Sequence, residues 1–457
     1  MSKQESWRAP RDELDLPRRF LDMDSQHQSH TIKADEKRED EYFTHLQFSD
    51  LRTWIYDDEL AYKASDAFSV WRLGKIKQLS FLAYIGPTPE TQYLIGFTHT
   101  RLEHTDQVVK IGQAILKRNN ASEKDITLST VSSVLHDKET PALGDAIKKI
   151  DQANLNEEDF WSENLGEKEE DFIKSQGLTM EQIDDVIHNR GIIGQVLDVS
   201  DRISYVMLDL SQLMSADHLD TTIATAGELG YREEIAQVLR QDTNVGSIYR
   251  DVVIDWENND FYFRNPERLS RFLEIRALLN KYLYLHPISQ ARDMLVVQFV
   301  KPYYSTDESD DTKLTPKRLR KMTDEQAVDF LAENHPELEE SVYKSLGRRI
   351  SMDLTFEHWY PEHWEMFKSA KELEAKKNQV LEDGFFVRGS VESKGFNPLI
   401  HYKVLTDDGQ VVTFKEYDPN CAARIERIAD DSRGHILFWE QKGRDINAQT
   451  HAELNLD

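Results

Sequence analysis

Histidines and aspartates that lie beside apolar helical positions are the side chains of this chain best suited to bind a metal ion. His104 begins a pattern with Val108, Ile111 and Ile115 at spacings of four, three and four residues, so all four share one helix face. A histidine on such a face is, when taken alone, more often a core residue whose ring nitrogens are satisfied. His104 therefore becomes a metal-ligand candidate only if other ligands accompany it.

An adjacent histidine and aspartate form the second part of the pattern. His136 and Asp137 follow the apolar positions that end with Leu135, and Pro141 and Gly144 then interrupt the helical pattern. Neighbouring side chains in the last turn of a helix can converge on one ion, and mixed nitrogen and oxygen donors suit Mn, Fe, Zn or Mg. An exposed aspartate beside a buried histidine explains the same dipeptide.

A third candidate lies in the amphipathic helical stretch Leu197 to Leu213. Asp201, Tyr205 and Asp209 follow one another at i, i+4 and i+8 and so form one line along this helix. An aspartate beside apolar positions is costly to bury unless it is paired or metal-bound. A solvated helix face is the alternative interpretation.

The order of these residues resembles the H…HD…D signature of the HD superfamily, whose members use it to bind a catalytic divalent ion. Trp71–Leu79, WRLGKIKQL, and Thr98–His104, THTRLEH, are similar to the runs F-x-R-L-x-x-I-K-Q-L and H-T-R-F-E-H of the deoxynucleoside triphosphate triphosphohydrolases. Asp201–Asp209 is similar to that family's helix D-[EK]-I-x-Y-x-x-x-D. The resemblance covers about residues 43–332.

A later segment also resembles this family. Arg276 and Tyr284, with His286 two residues on, match the pattern R-x(7)-Y-x-H. Residues eight apart on an α-helix share a face, so Arg276 and Tyr284 are expected to reach one pocket.

The resemblance implies a role for each matched side chain. The implied metal ligands are His104, His136, Asp137 and Asp201. The implied substrate contacts are Gln78 and Arg101 with sugar or phosphate, Tyr205 and Asp209 with the sugar, and Arg276 and Tyr284 with phosphate and sugar. In that family the ion polarises the α-phosphate and activates water, which releases a nucleoside and inorganic triphosphate. Arg101 and Arg276 would supply fixed positive charge to the transition state.

The segment after the HD pair departs from the family pattern HD-I-G-H-P-P-F-G-H. It reads HDKETPALGD from His136 to Asp145, so Thr140 and Asp145 stand at the two family histidines. Glu163 stands where the family has a histidine in the pattern W-x-H-E. A threonine is no useful proton donor near neutral pH, whereas a carboxyl group with a raised pKa is one. Glu163 and Asp145 are therefore the candidate acids.

These departures leave the substrate open. Asp145 is also a candidate to hold a second Mg²⁺ together with nucleotide phosphates. Lys138, Lys148 and Lys149 either add positive charge at the site or form a solvated charged turn. The resemblance implies hydrolysis of deoxynucleoside triphosphates; the alternatives are a phosphohydrolase for a monophosphate, cyclic or modified nucleotide, and a nucleotide-binding sensor without turnover.

Composition limits the other classes of function. The formal net charge of −27 repels phosphate backbones at long range, so non-specific nucleic-acid binding is not expected. The single cysteine, Cys421, excludes an intramolecular disulfide and a cysteine-built zinc site. Without a spanning apolar run or a signal-peptide pattern, the sequence predicts a cytoplasmic protein that does not bind membranes. The family resemblance implies a homo-oligomer.

Charge and periodicity predict a mainly α protein in four units. Residues 1–42 are expected to form a flexible arm, 43–304 an HD-type helical domain, 305–383 a charged helical region and 384–457 a small β-rich unit. Runs of β-forming residues flank Asp408 and Gly409, which are typical of a hairpin turn. The fold class is therefore an HD-domain helical core with a smaller C-terminal α+β appendage.

Overall fold

The computed structural model describes residues 58–77, 99–213, 245–335 and 363–441, with short pieces between 234 and 238. The chain is mainly α-helical and ends in a smaller α+β part, which confirms the predicted fold class. The predicted arm, residues 1–42, and Gln78 lie outside the described residues. Within the described ranges, no helix combines the length and apolar character needed to cross a membrane.

Helices dominate the first part of the described chain. The helices up to residue 213 are α1 Glu59–Ala67, α2 Arg101–Arg118, α3 Glu123–Leu135, α4 Gly144–Lys148, α5 Gln152–Leu155, α6 Glu157–Phe160, α7 Glu167–Ser175, α8 Met180–Ile187 and α9 Gly191–Leu213. The predicted helical stretches around His104 and Asp201 thus fall within α2 and α9, and His136 follows the end of α3.

Capping boxes fix the starts of the helices that carry the candidate ligands. The Thr100 amide donates to the Glu103 carboxylate at 2.5 Å, and the Glu103 amide donates back to the Thr100 hydroxyl at 3.3 Å. Ser122 and Asp125 form the same arrangement before α3. These reciprocal bonds satisfy amide groups that have no partner inside the helix. The first turn of α2, with Arg101 and His104, is therefore held in one orientation.

Small residues let α2, α3 and α9 approach closely. A Cβ atom added at Gly112 of α2 would lie 3.2 Å from the Ser129 hydroxyl of α3 and 3.5 Å from the Ser200 hydroxyl of α9. The apolar residues around this crossing, such as Ile111 and Val199, are almost fully buried. Because Ser200 directly precedes Asp201, the close crossing brings the ligand of α9 toward those of α2 and α3.

The segment after the HD pair packs on a second group of helices. The helices after residue 263 are α10 Pro266–Leu279, α11 Pro287–Val300, α12 Pro316–Leu319 and α13 Asp324–Asn334. The Leu143 amide donates to the Asp324 carboxylate at 2.7 Å, and the Ala142 amide donates to the Leu319 carbonyl at 2.9 Å. These bonds hold the turn that leads to Asp145.

The strands of the described residues form two small sheets. Their strands are β1 Val252–Asp255, β2 Asp260–Phe263, β3 His363–Phe367, β4 Phe385–Lys394, β5 Lys403–Leu405, β6 Val411–Thr413 and β7 Arg433–Gln441. One sheet has the order β1-β2-β5-β6 and the other the order β3-β7-β4. The predicted hairpin at Asp408 and Gly409 joins β5 and β6 in antiparallel register.

The four-stranded sheet connects the C-terminal part to the helical core. β5 pairs in parallel with β2 through Val404 and Phe263, both fully buried. Further helices, α14 Ala370–Glu382, α15 Phe414–Tyr417 and α16 Pro419–Asp431, complete this part. Apolar residues of α16 belong to the same core as those of α2 and α9. The division into four units stays a prediction, and one continuous core crosses its boundaries.

Candidate metal centre

Four side chains, carried by α2, α9 and the residues directly after α3, meet near the N-terminus of α2. His104 lies at the end of the first turn of α2 and is fully buried, and Asp201 comes from the middle of α9. His136 and Asp137 directly follow α3 and are 7% and 4% exposed. We call these four residues the ligand cluster.

The donor atoms of the ligand cluster lie within a few ångströms of one another. Nε2 of His104 is 2.7 Å from Asp201 Oδ1 and 3.8 Å from Asp137 Oδ2. Nε2 of His136 is 3.7 Å from Asp137 Oδ2 and 3.8 Å from Asp201 Oδ1. Ligand atoms of His104, His136 and Asp137 all lie within 4.8 Å of each other. The arrangement brings together residues that are 97 positions apart.

The outer ring nitrogens of both histidines already have partners. Nδ1 of His136 is 2.6 Å from the Ser133 carbonyl, to which it donates, and Nδ1 of His104 is 3.0 Å from the Ser204 hydroxyl. Nε2 of His136 is buried and has no hydrogen-bond partner among the described residues. A buried imidazole nitrogen beside two carboxylates suits a divalent cation, and such outer partners are typical of metal-binding histidines. The residues present therefore fit a divalent metal ion.

Electrostatics keep the carboxylates of the ligand cluster ionised. Burial raises the pKa of Asp201, but a hydrogen bond from His104 and the nearby charge of His136 hold it well below its usual range. Burial lowers the pKa of His136, yet the charges of Asp137 and Asp201 outweigh that effect and raise it to about 9. A proton on the imidazole thus balances the carboxylates in the metal-free protein, and a metal ion would replace that proton.

Arg101 connects the ligand cluster to Asp145. Its side chain is buried, and its Nη1 donates to Asp137 Oδ2 at 3.2 Å and to the Tyr205 hydroxyl at 3.1 Å. Its Nη2 donates to Asp145 Oδ1 at 2.8 Å. The guanidinium plane is therefore fixed by three partners at the edge of the cluster.

Asp145 takes part in a chain of alternating charges. Lys148 lies 2.8 Å from Asp145 Oδ1 and 2.5 Å from Glu157 Oε1. Burial raises the pKa of Asp145, but Arg101 and Lys148 more than offset that effect and hold it well below its usual range. We call Arg101, Asp145, Lys148 and Glu157 the charged network. An ionised Asp145 has no proton to donate near neutral pH.

Glu163 and Thr140 occupy a neighbouring polar region. The Glu163 carboxylate accepts a hydrogen bond from the buried Arg320, whose Nη1 also donates to the Asn154 carbonyl at 2.7 Å. Thr140 is fully buried, and its carbonyl accepts from Arg72 at 2.8 Å. The Glu163 side chain is 46% exposed, so solvent can reach it.

Tyr205, Asp209 and Tyr284 lie along one side of α9. The Tyr205 ring is 4.5 Å from the His104 ring, measured between centroids. The buried Asp209 carboxylate accepts a hydrogen bond from the Tyr284 hydroxyl and lies 3.6 Å from His99 Nε2. Burial raises the pKa of Asp209 well above its usual range. These groups can hydrogen-bond to a polar ligand next to the ligand cluster.

Arg276 and Tyr284 contact different neighbours although they are eight residues apart. Arg276 Nη1 donates to the Asn397 carbonyl at 2.5 Å, while Tyr284 contacts Asp209. Residues eight apart share a face only in a regular α-helix, but α10 ends at Leu279 and a wider π-helical turn follows. Such a turn changes the angular position of the residues after it.

Several contacts of the site come from residues that the sequence did not single out. Ser204 lies three residues after Asp201, and Ser133 three residues before His136, so helical spacing alone places each beside the cluster. Arg320 carries no such signal, because its partner Glu163 is 157 residues away in the chain. Gln78 lies outside the described residues.

Two solved structures are similar to this chain over most of its length. No family model and no curated protein matches the sequence. A hypothetical protein from Aquifex aeolicus has a similar structure, with a TM-score of 0.56, 16% identity, and coverage of 87% of this chain and 96% of its own. A phosphohydrolase from Bacteroides thetaiotaomicron is similar at a TM-score of 0.51 and 14% identity, covering 83% of this chain and 95% of its own. The chain therefore shares its fold with these two proteins.

Proposed function

We propose that this chain is a metal-dependent HD-domain phosphohydrolase that hydrolyses deoxynucleoside triphosphates to deoxynucleoside and triphosphate. The observation that carries the proposal is the buried ligand cluster, in which Nε2 of His136 has no hydrogen-bond partner among the described residues and lies near two carboxylates. The shared fold with a protein named phosphohydrolase supports the reaction class.

His104, His136, Asp137 and Asp201 would hold the ion, which is Mn, Fe, Mg or Zn. When bound, a divalent ion supplies Lewis-acid activation of a phosphoryl oxygen and of the attacking water. Asp145 already binds two cationic side chains, so a second Mg²⁺ would enter with the phosphates of the nucleotide.

Arg101 and Arg276 would bind the phosphates. Arg101 is held rigidly by Asp137, Tyr205 and Asp145, so its charge needs no reorganisation during the reaction. Arg276 binds only a backbone carbonyl through Nη1, and no carboxylate among the described residues pairs with it. Its remaining N–H groups are available to an anion.

The sugar would lie between Tyr205 and Asp209. Asp209 Oδ1 is buried without a hydrogen-bond partner among the described residues, and the Tyr284 hydroxyl, which donates its proton to Asp209, can still accept a hydrogen bond from a sugar hydroxyl. The Tyr205 ring, packed on His104, would limit the space beside the sugar. Gln78 is a further proposed contact in the matched motif.

A carboxyl group would deliver the proton to the leaving group in place of a family histidine. Asp145 is held ionised by two cationic side chains, Arg101 and Lys148, whereas the half-exposed Glu163 has the single cationic partner Arg320, so Glu163 is the better candidate of the two. Its carboxylate is partly exposed and is oriented by Arg320. Glu163 is therefore assigned the general acid role in this proposal.

The proposal is tested by product analysis. The protein is incubated with each deoxynucleoside triphosphate and Mn²⁺ or Mg²⁺, and the products are separated by chromatography. Deoxynucleoside and inorganic triphosphate are expected in equal amounts. A metal-loaded protein that releases neither product would contradict the assignment.

A second candidate function follows from Thr140 and Asp145. These residues remove both histidines of the HD-I-G-H-P-P-F-G-H pattern, and Asp145 binds Arg101 and Lys148 instead. Such a site would suit another nucleotide, a monophosphate or a cyclic or modified one, or a nucleotide sensor without turnover. Product analysis over a nucleotide panel separates these cases, and tight binding without products identifies the sensor.

Light scattering of the purified protein tests the expected homo-oligomer.

A further inference from the structure

Tyr402 belongs to the C-terminal part of the chain but its ring lies in the main core. It directly precedes β5, and its amide donates to the Leu399 carbonyl at 3.1 Å while its carbonyl accepts from Phe414 at 2.7 Å. Its ring centroid is 5.6 Å from those of Phe261 and Phe263. The ring is thus fixed by backbone bonds and by aromatic packing.

The hydroxyl of Tyr402 is the unusual feature of this residue. Its oxygen is closed to solvent and has no hydrogen-bond partner among the described residues. Tyrosine hydroxyls in protein interiors normally find a partner, because a buried polar group without one is costly. A phenylalanine at this position would fill the same space without that cost. The hydroxyl is therefore a candidate hydrogen-bonding group for a bound ligand.

The charges around this hydroxyl indicate the kind of ligand. Burial and the charge of Asp198 raise the Tyr402 pKa, while Arg202 and Arg276 act in the opposite direction. Arg202 binds Asp198 through two hydrogen bonds of 2.8 and 2.6 Å. Arg276 has no carboxylate partner among the described residues, and burial and the charge of Arg202 lower its pKa to about 10. Arg202 is thus already paired, and an anion would balance the charge of Arg276.

The same region adjoins the ligand cluster. Asp201 directly precedes Arg202 on α9, and its charge acts on both Tyr402 and Arg276. Arg276 is also fixed to the C-terminal part, because it donates to the Asn397 carbonyl at 2.5 Å and lies 5.6 Å from the centroid of the Phe396 ring. A phosphate bound here would be next to the proposed metal ion.

We propose that Tyr402 is a phosphate-binding residue of the active site, and that its hydroxyl, Arg202 and Arg276 together bind a phosphate group of the nucleotide. The C-terminal part would then complete the site rather than form a separate appendage. Since the hydroxyl is closed to solvent, the side chains that cover it must move when the phosphate binds. This inference deepens the proposed function and rests on it for the identity of the ligand.

The test compares Tyr402→Phe with the unmodified protein in the binding of inorganic tripolyphosphate, measured by isothermal titration calorimetry at constant free Mg²⁺. Loss of a hydrogen bond to a charged group is expected to weaken binding about tenfold or more. Tyr417→Phe is the matched control, because it removes a hydroxyl from the same part of the chain whose partner is Glu267. Binding by this control should equal that of the unmodified protein.

Thermal melting without ligand provides the second measurement. Tyr402→Phe removes a buried hydroxyl without a partner, so the ligand-free variant is expected to melt at the same temperature or higher, while tripolyphosphate stabilises it less. Unchanged tripolyphosphate affinity, or a lower melting temperature without ligand, would overturn the proposal. Binding is measured without turnover, so the two proposals can fail separately. If the protein hydrolyses no deoxynucleoside triphosphate but Tyr402→Phe weakens tripolyphosphate binding, only the proposed function is refuted.

Discussion

At the ligand cluster, each imidazole is fixed by a neutral oxygen and its inner nitrogen faces carboxylates, whereas in the charged network every side chain already binds an opposite charge. Nδ1 of His104 and His136 contacts Ser204 and the Ser133 carbonyl. In the charged network, Asp145 is held between Arg101 and Lys148. The first region has a buried nitrogen without a partner beside two carboxylates, whereas in the second the charges balance one another and only Arg101 Nε and Glu157 Oε2 have no hydrogen-bond partner among the described residues.

This difference separates two kinds of function within one site. A region with an unsatisfied buried nitrogen binds a ligand of its own, while a region of mutually satisfied charges holds other groups in place. The charged network contacts the cluster through Arg101 and Asp137. We therefore expect ligand-cluster variants to lose the metal, and charged-network variants to keep it but react more slowly.

The largest effect is expected from His136→Ala and Asp201→Ala. Each removes one of four metal ligands and leaves a buried charge or a cavity, so metal retention and activity should be lost together. Metal content is measured by mass spectrometry after gel filtration, and activity by product release. His188→Ala is the matched control, because His188 binds the backbone of its own helix through Nδ1. Wild-type metal content in either ligand variant would remove that residue from the site.

Arg101→Lys is expected to lower kcat by about 100-fold to 1,000-fold, because a single ammonium group cannot keep all three partners and the fixed charge is misplaced. Metal content should stay near that of the unmodified protein, since the four ligands remain. Arg118→Lys, at the exposed end of the same helix, is the control. Loss of the metal from Arg101→Lys would mean that the two regions do not act separately.

The ligand cluster was predictable from the sequence because its information is local. His104, His136 and Asp201 each lie in or next to an amphipathic helix, and their spacing from apolar residues shows which face is buried. The family resemblance then ordered them into one set. The mainly α fold and the hairpin at Asp408 and Gly409 followed from periodicity and turn chemistry in the same way.

The partners in the surrounding regions were not predictable, because they come from distant segments. Arg320 meets Glu163 across 157 positions, and Arg276 meets Asn397 across 121. The π-helical turn before Tyr284 also has no marker in the residue spacing. Pairings of this kind depend on how the helices pack, which one sequence does not specify.

Glu163→Gln is expected to lower turnover about 100-fold while substrate binding changes little, because the amide keeps the shape of the side chain but has no proton to donate as an acid. Steady-state kinetics should show a lower kcat at nearly constant KM. Glu167→Gln, an exposed glutamate at the start of α7, is the control. An unchanged kcat would assign Glu163 to the positioning of Arg320 and move the acid role elsewhere.

The smallest effect is expected from Ser204→Ala, which leaves all four ligands but removes the hydroxyl that contacts His104 Nδ1 at 3.0 Å. Without it the His104 ring is oriented less strictly, and metal affinity is expected to fall about tenfold. Competition with a fluorescent chelator measures this affinity. Excess metal should restore the activity of Ser204→Ala but not that of Arg101→Lys. Ser175→Ala, whose hydroxyl bonds only within its own helix turn and to Gln176, is the control. If excess metal failed to restore the activity of Ser204→Ala, the hydroxyl would act on the reaction itself and not through metal binding. The ligand cluster would then not differ from the charged network in the way proposed.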